Sequence, residues 1–355
     1  YFARNRNRLE QKIQGKAPSL VFDVDNNVGP PSDPSLAVGP DHVFFVFNTG
    51  LIIYDKEGND LTGSFAVENI FSGGGCCDLT VSYDNAADRW VITYLFIGSG
   101  AEIAVSDGPD PINSNWYLYS INQINDYQKL SVWSDGYYIT DNTSSSNKVW
   151  ALEREEMLLG NPSAGIQGFN LTGISTSGFY SPQAFNVSND NLPDAGSVPI
   201  VYLQDDAWSG VNEDHIKLWE IDVDWETPGN STISAPQEII TTPFISVFDG
   251  GSFSNLAQPG GGSDIGALQA TIMNQAQYRK FATYNSALFN FVIDVDGSST
   301  KQAGVRWYEL RQTADGEPWE IYQEGTYTAP DNRHAWNASL IMDVQGNIGM
   351  GYTGM

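Results

Sequence analysis

An all-β chain folded as a β-propeller of about six to seven four-stranded blades, the last incomplete, is predicted on three observations. A polar turn followed by an alternating apolar and aromatic strand recurs along the chain. It is seen as Gly39-Pro40-Asp41 before Val43 to Phe47, Asp84 to Asp88 before Trp90 to Leu95, Ser134-Asp135-Gly136 before Tyr137 to Thr140, and Asp343 to Asn347 before Ile348 to Tyr352. The first three turns start roughly 45 to 50 residues apart, the length of one blade. β-Branched and aromatic residues crowd the intervening runs, as in Trp90 to Leu95 and Gly304 to Leu310. Helix signals are scarce: one short helix is expected over Glu153 to Leu159, stopped by Gly160 and Pro162.

Taken in order, the chain opens on a basic stretch in which Arg4, Arg6, Arg8, Lys12 and Lys16 face one acid, Glu10. On an acidic protein such an arm is a candidate assembly element. Residues 17 to 35 carry Pro18, Pro30, Pro31 and Pro34, which forbid regular helix and read as an entry strand and loop. Residues 1–35 are therefore expected to form an extended arm and entry strand, and 36–355 the ring. Coarse blades follow at 36 to 72, 77 to 121, 129 to 180, 184 to 242 and 265 to 329, with a sixth opening near 335. That sixth blade has a turn and one following strand before Met355, and an open edge invites association, so continuation past 355 is expected, with completion of the ring by another chain as the alternative.

Of the 355 residues, 41% are hydrophobic and 12% aromatic, which places the chain among packed globular proteins. No run of about 18 apolar residues occurs, so no helical membrane span is expected. The net charge is −26 and the body of the chain gathers no basic stripe, which argues against nucleic acid as a partner. The acidity fits either solubility or cation binding. An initial Tyr1, few lysines and almost no thiol fit an extracellular or cell-surface protein.

The runs Asp33 to Pro40, Tyr83 to Trp90 and Leu130 to Tyr138 resemble successive signatures of large secreted bacterial, Bacteroidota-like, propeller surface proteins. The segments Leu203 to Trp208, Lys217 to Glu220, Gly304 to Leu310 and Met342 to Ile348 continue the likeness in order, over about residues 33 to 355. The resemblance implies the propeller fold and an exported surface component, and it brings no catalytic residue with it. The adjacent cysteines Cys76-Cys77 depart from the pattern.

Those cysteines are the only two in the chain, so within one molecule they can form only a vicinal disulfide; two reduced thiols are the alternative. Asp23-Val24-Asp25-Asn26-Asn27 alternates oxygen side chains as a calcium loop requires, so Asp23, Asp25 and Asn27 are candidate metal ligands, with an Asx-rich turn as the alternative. Calcium is the one cofactor this pattern suggests, and no organic cofactor is expected. Asp205 and Asp206 precede Trp208, where carboxylate and ring together suit a sugar. Trp116, Tyr117, His334 and Trp336 are the other candidates for a binding surface, and blade core is the competing role of the tryptophans. Asn142, Asn170, Asn186, Asn230 and Asn337 stand in N-glycosylation triplets.

The function expected from these features is non-enzymatic: an extracellular surface or structural protein whose ring presents aromatic and acidic loops to a surface glycan or protein, or assembles with itself. One alternative is a filament subunit joined through the N-terminal arm, possible only if the arm reaches a neighbouring copy. The other is a polysaccharide-active hydrolase or lyase. A display surface demands exposed aromatic side chains, whereas an enzyme demands a polar channel with perturbed carboxylates.

Overall fold

The computed structural model describes residues 18–24, 31–249, 253–297 and 301–355. Sheets succeed one another along the chain around a common centre. The first has three strands, β1 (Ser35–Val38), β2 (His42–Phe47) and β3 (Gly50–Asp55). The second has four, β4 (Cys77–Asp84), β5 (Arg89–Phe96), β6 (Gly100–Ser106) and β7 (Trp116–Ile121). The third also has four, β8 (Lys129–Val132), β9 (Gly136–Thr140), β10 (Val149–Glu153) and β11 (Ile166–Phe169).

Two further expected blades join into one nine-stranded sheet. One half is β12 (Gln183–Val187), β13 (Val198–Gln204), β14 (His215–Asp222), β15 (Thr232–Ile233) and β16 (Gln237–Ile240). The other is β17 (Ala276–Lys280), β18 (Asn285–Asp294), β19 (Ala303–Gln312) and β20 (Glu320–Tyr327). The join is a parallel pairing of β12 with β17, Phe185 opposite Ala276. The last sheet is the hairpin β21 (Ala335–Met342) and β22 (Ile348–Gly354), whose β21 packs on β18. The all-β propeller class is thus the observed one, and the sheets are not uniformly four-stranded. The helix α1 covers Arg154–Leu158, inside the expected span.

Burial explains why these segments read as they do. β5 (Arg-Trp-Val-Ile-Thr-Tyr-Leu-Phe) is buried along nearly its whole length, because neighbouring sheets cover both of its faces and select a continuous apolar run. In β21 burial alternates strictly from Trp336 onward, since one face meets solvent. Trp90 lies edge-on to Phe44 and Tyr83 between the first two sheets, with ring centroids 5.5 and 4.7 Å apart. Phe185, Tyr202, Trp219, Phe289 and Trp319 form the large core shared by the third sheet and the nine-stranded one. Each such ring contributes about 1.5–3 kcal/mol by leaving water.

The innermost strands β1, β4, β8, β12 and β17 lie side by side. Ser131 Oγ donates to Ala184 O at 2.9 Å and Val132 N to Asn186 Oδ1 at 2.9 Å, so side chains link these strands. Gln275 reaches across the centre to Ser82 and to Leu130 O.

Tight chain reversals demand glycine where the backbone turns left-handed against another strand. At Gly100, φ is +100° and an added Cβ would lie 2.1 Å from Ile121 O. Gly100→Ala is therefore expected to destabilise the fold by about 3 kcal/mol, through strain and a backbone collision that nothing flexible can relieve. Urea denaturation checks this, and a loss under 1 kcal/mol would show that the β6–β7 pair shifts freely.

Candidate functional site

The segments leading into the inner strands bring a polar group together at one end of the ring. Asp78, second residue of β4, donates its N–H to Asn48 Oδ1 at 2.8 Å, and Asn48 Nδ2 in turn donates to Asp33 Oδ2 at 2.8 Å. Gln128 Nε2 donates to Asp78 O at 2.5 Å. Lys129, first residue of β8 and only 8% exposed, holds its ammonium 3.4 Å from the centre of the Tyr127 ring. Asp141 is buried and accepts the N–H groups of Asn125 and Asp126 at 2.9–3.2 Å, which fixes the loop that carries Asp126 and Tyr127. Asn142 Nδ2 donates to Asp126 Oδ2 at 3.1 Å.

Electrostatics at this mouth are unusual. Burial raises the Asp78 carboxyl above its ordinary 3.8, opposed by the Lys129 charge and reinforced by Asp126 and Asp33. Burial also pushes the Lys129 ammonium down to about 8, against the pull of Asp78, Asp33 and Asp126. Asp141 is raised to about 6, again chiefly by burial. Three non-glycine residues here, Asp33 (φ 40°), Asp78 (φ 55°) and Tyr127 (φ 53°), hold left-handed backbone. Such conformations cost about 1–3 kcal/mol each and gather at functional sites. The carboxamide oxygens of Gln128, Gln183 and Asn274, all beside inner-strand starts, are buried without a hydrogen-bond donor. An edge-to-face series Tyr127–Phe179–Phe253, with centroids 4.5 and 5.5 Å apart, runs outward to the exposed Phe253.

The Lys129 shift has a consequence for stability. Between pH about 8 and 10 the unfolded chain holds a proton on Lys129 that the folded chain has released, so stability rises with pH. The slope from this group approaches about 1.4 kcal/mol per pH unit. The difference in urea midpoint between the native protein and Lys129→Met should therefore move in favour of the native protein as pH rises across that range, whatever the buried tyrosines contribute to both; parallel curves would exclude it.

Most residues singled out from sequence lie elsewhere. Trp208 and Trp336 are 7% and 4% exposed and belong to the core, which corrects their placement on a binding surface. Trp116 and Tyr117 are half-buried on β7, Trp116 edge-on to Phe44 and Tyr117 beneath Gly160. His334 is half-buried, its Nδ1 facing Ala303 N at 3.1 Å.

Asp205, Asp206 and Asp214 cluster with carboxylate oxygens within 4.8 Å of one another. The two buried members are already engaged: Asp205 accepts from Ala207 N, Ser246 N and Ser246 Oγ, and Asp214 from Asp206 N and Phe244 N. They act as a knot that pins the 205–214 loop to residues 244–246. Asp23 is exposed, while Asp25, Asn27 and the arm residues Arg4, Arg6, Arg8, Lys12 and Lys16 lie outside the described residues.

Cys76 and Cys77 are joined by a disulfide directly before Asp78. Asn170, Asn230 and Asn337 are exposed and Asn142 is half-buried. Asn186 is 6% exposed and accepts Val132 N–H, so the folded ring offers no room for a glycan there. Asp33, Asp78, Asp126, Lys129 and Asp141 were not singled out by sequence reasoning; the one signal for them is polar residues at the starts of otherwise apolar strands. Among the described residues no helix is long and apolar enough to cross a membrane.

The class of protein these features define is a β-propeller with a polar, carboxylate-bearing mouth. No protein-family model matches the chain, and no curated protein sequence matches it. Solved structures similar to it include the GH43 protein BlXynB from Bacillus licheniformis, at 11% identity and TM-score 0.39, covering 84% of this chain and 57% of that one. The chain thus spans under two thirds of that protein. The WD40 domain of SCAP from fission yeast aligns at 10% identity and TM-score 0.37, covering 90% and 75%. These likenesses concern fold alone. The expectation of a non-enzymatic surface or structural protein is corrected here: the polar end of the ring carries the perturbed carboxylates Asp78 and Asp141 that an enzyme demands, and GH43 glycoside hydrolases are among the solved structures of similar fold.

Proposed function

We propose that the protein is a hydrolase of neutral polysaccharides that works at the ring mouth. The observation that carries this reading is Asp78: a carboxyl raised by burial, in left-handed backbone, facing Lys129, Asp126 and Asp33. A carboxyl whose pKa burial has raised is a better proton donor to a glycosidic oxygen, while a second carboxylate activates water. Asp126 and Asp33 are the candidates for that second role. Lys129 sits among the three carboxylates and limits their mutual repulsion.

The substrate class follows from the lining. A chain of net charge −26 repels polyanions. The Tyr127, Phe179 and Phe253 rings supply flat apolar surface along one approach. Such a substrate lies outside cells, and we propose the same location for the protein.

The test is release of reducing ends from xylan, arabinan, galactan, mannan and β-glucan by the purified protein. Release from at least one is expected. Failure on all five overturns the reading.

A further inference from the structure

A cleft of about 390 Å³ lies between the close of β19 and the opening of β20. Inner strand β17 runs parallel to β12, away from the mouth, so the β17–β18 turn, the last residues of β19 and the first of β20 share the far end of the sheet. One wall is a stack of side chains. Phe281 lies on Tyr284, with ring centroids 4.7 Å apart, and the Arg311 guanidinium carbon stands 4.1 Å from the centre of the Tyr284 ring and 3.3 Å from that of Tyr322. Two rings that close to one carbon can take only its opposite faces, so the guanidinium is sandwiched. Tyr322 is 56% exposed, and the stack therefore ends in a flat aromatic face open to water.

The polar groups beside that face are fixed and unspent. Arg311 Nε donates to Glu309 Oε1 at 2.6 Å, and Glu309 is 1% exposed, so the guanidinium is held by one edge as well as by both faces. Its two terminal nitrogens have no hydrogen-bond partner among the described residues and are not buried. Glu320, opposite Arg311 in register, and Glu317 line the same cleft and are exposed, yet among the described residues the ion pair of Arg311 is with Glu309 alone. The guanidinium disfavours a cation in the cleft and the two carboxylates disfavour an anion. A neutral molecule remains, with donors and acceptors on its rim and an apolar face, which describes a sugar ring. The volume falls within the range of about 300–1,000 Å³ usual for such sites. We propose that this cleft binds a segment of neutral polysaccharide, one sugar ring stacked on the free face of Tyr322 and its hydroxyls bonded to Arg311, Glu317 and Glu320. The site is remote from the mouth and independent of what the mouth does.

The test is affinity electrophoresis of the full chain through gels containing xylan, arabinan, galactan, mannan or β-glucan, with reducing-end release measured on the same polymers. Retardation by at least one is expected. Tyr322→Ala is expected to raise its dissociation constant about tenfold, and Tyr322→Phe, which keeps the ring face, to stay near native. Glu320→Ala is expected to raise it about threefold through a lost acceptor. The Tyr322→Ala effect persists in an Asp78→Asn background, because the two sites are separate. Retardation without reducing-end release upholds the cleft and removes only the reading of the mouth. The proposal is overturned if none of the five polymers retards the protein, or if Tyr322→Ala is retarded as strongly as the native chain. Should Tyr322→Ala fail to fold, an unchanged dissociation constant in Glu320→Ala overturns it instead.

Discussion

Asp78→Asn is expected to lower polysaccharide hydrolysis by about 10²–10⁴-fold, the usual contribution of a positioned proton donor. The substitution preserves shape, and asparagine is among the few residues that accept the left-handed backbone found here, so folding survives. The N–H of Asn48's partner residue 78 and its carbonyl, held by Gln128, are untouched because both bonds use backbone atoms. Loss of activity with an unchanged melting temperature therefore isolates the carboxyl itself.

The pH dependence adds a second readout. As a proton donor Asp78 must be protonated, so activity falls as pH rises through its pKa, which burial has lifted above 3.8. The ammonium of Lys129 holds that pKa down, so Lys129→Met moves the alkaline limb to higher pH. An Asp78→Asn protein with more than a tenth of native activity, or a limb that moves downward in Lys129→Met, would remove Asp78 from the donor role.

Arg154→Met is expected to cost about 3–5 kcal/mol of stability, because it leaves a buried charge unpaired. Arg154, at the start of α1, grips Asp84 at the end of β4 with two hydrogen bonds, Nε to Oδ2 at 2.6 Å and Nη2 to Oδ1 at 3.0 Å. Asp84 is fully buried and Arg154 is 7% exposed. Tyr137 Oη and Ala87 N also donate to that carboxylate, at 3.0 and 3.2 Å. The pair ties the second sheet to the third, across a boundary that has no backbone ladder.

Removing the guanidinium strands a carboxylate in the interior with only two neutral donors, and the cost comes from that stranded charge. The double variant Asp84→Leu with Arg154→Met removes both charges and is expected to recover most of the loss. Urea denaturation monitored by tryptophan fluorescence measures both. A single-variant loss under 1 kcal/mol, or a double variant no better than the single, would show that the pair is not a determinant of the fold.

Much of the architecture was legible because its causes are local. A run such as Trp90 to Leu95 forms a strand wherever it sits, since β-branched and aromatic side chains fit a pleated, covered surface. The turn Asp343 to Asn347 closes through its own side chains, Asp343 accepting the Asn347 N–H at 2.8 Å. The regular spacing of such units announced a ring. The surface role given to Trp208 and Trp336 failed for a different reason: the sequence shows a loop beside an aromatic residue, and only packing decides that the ring turns inward.

What the sequence determined by itself is therefore the all-β class, the strands, the turns that join them, and the adjacency of Cys76 and Cys77. What only the tertiary structure decided is which distant residues meet. Asp33, Asn48, Asp78, Asp126 and Lys129 are spread over four chain segments, and Gln275 reaches the same centre from far downstream. Each lies in or beside a strand start or a loop whose local chemistry is unremarked. Their proximity arises from the curl that brings successive inner strands side by side, and their altered protonation arises from burial at that shared end. Both are properties of the curled arrangement of sheets, to which no short window of sequence has access.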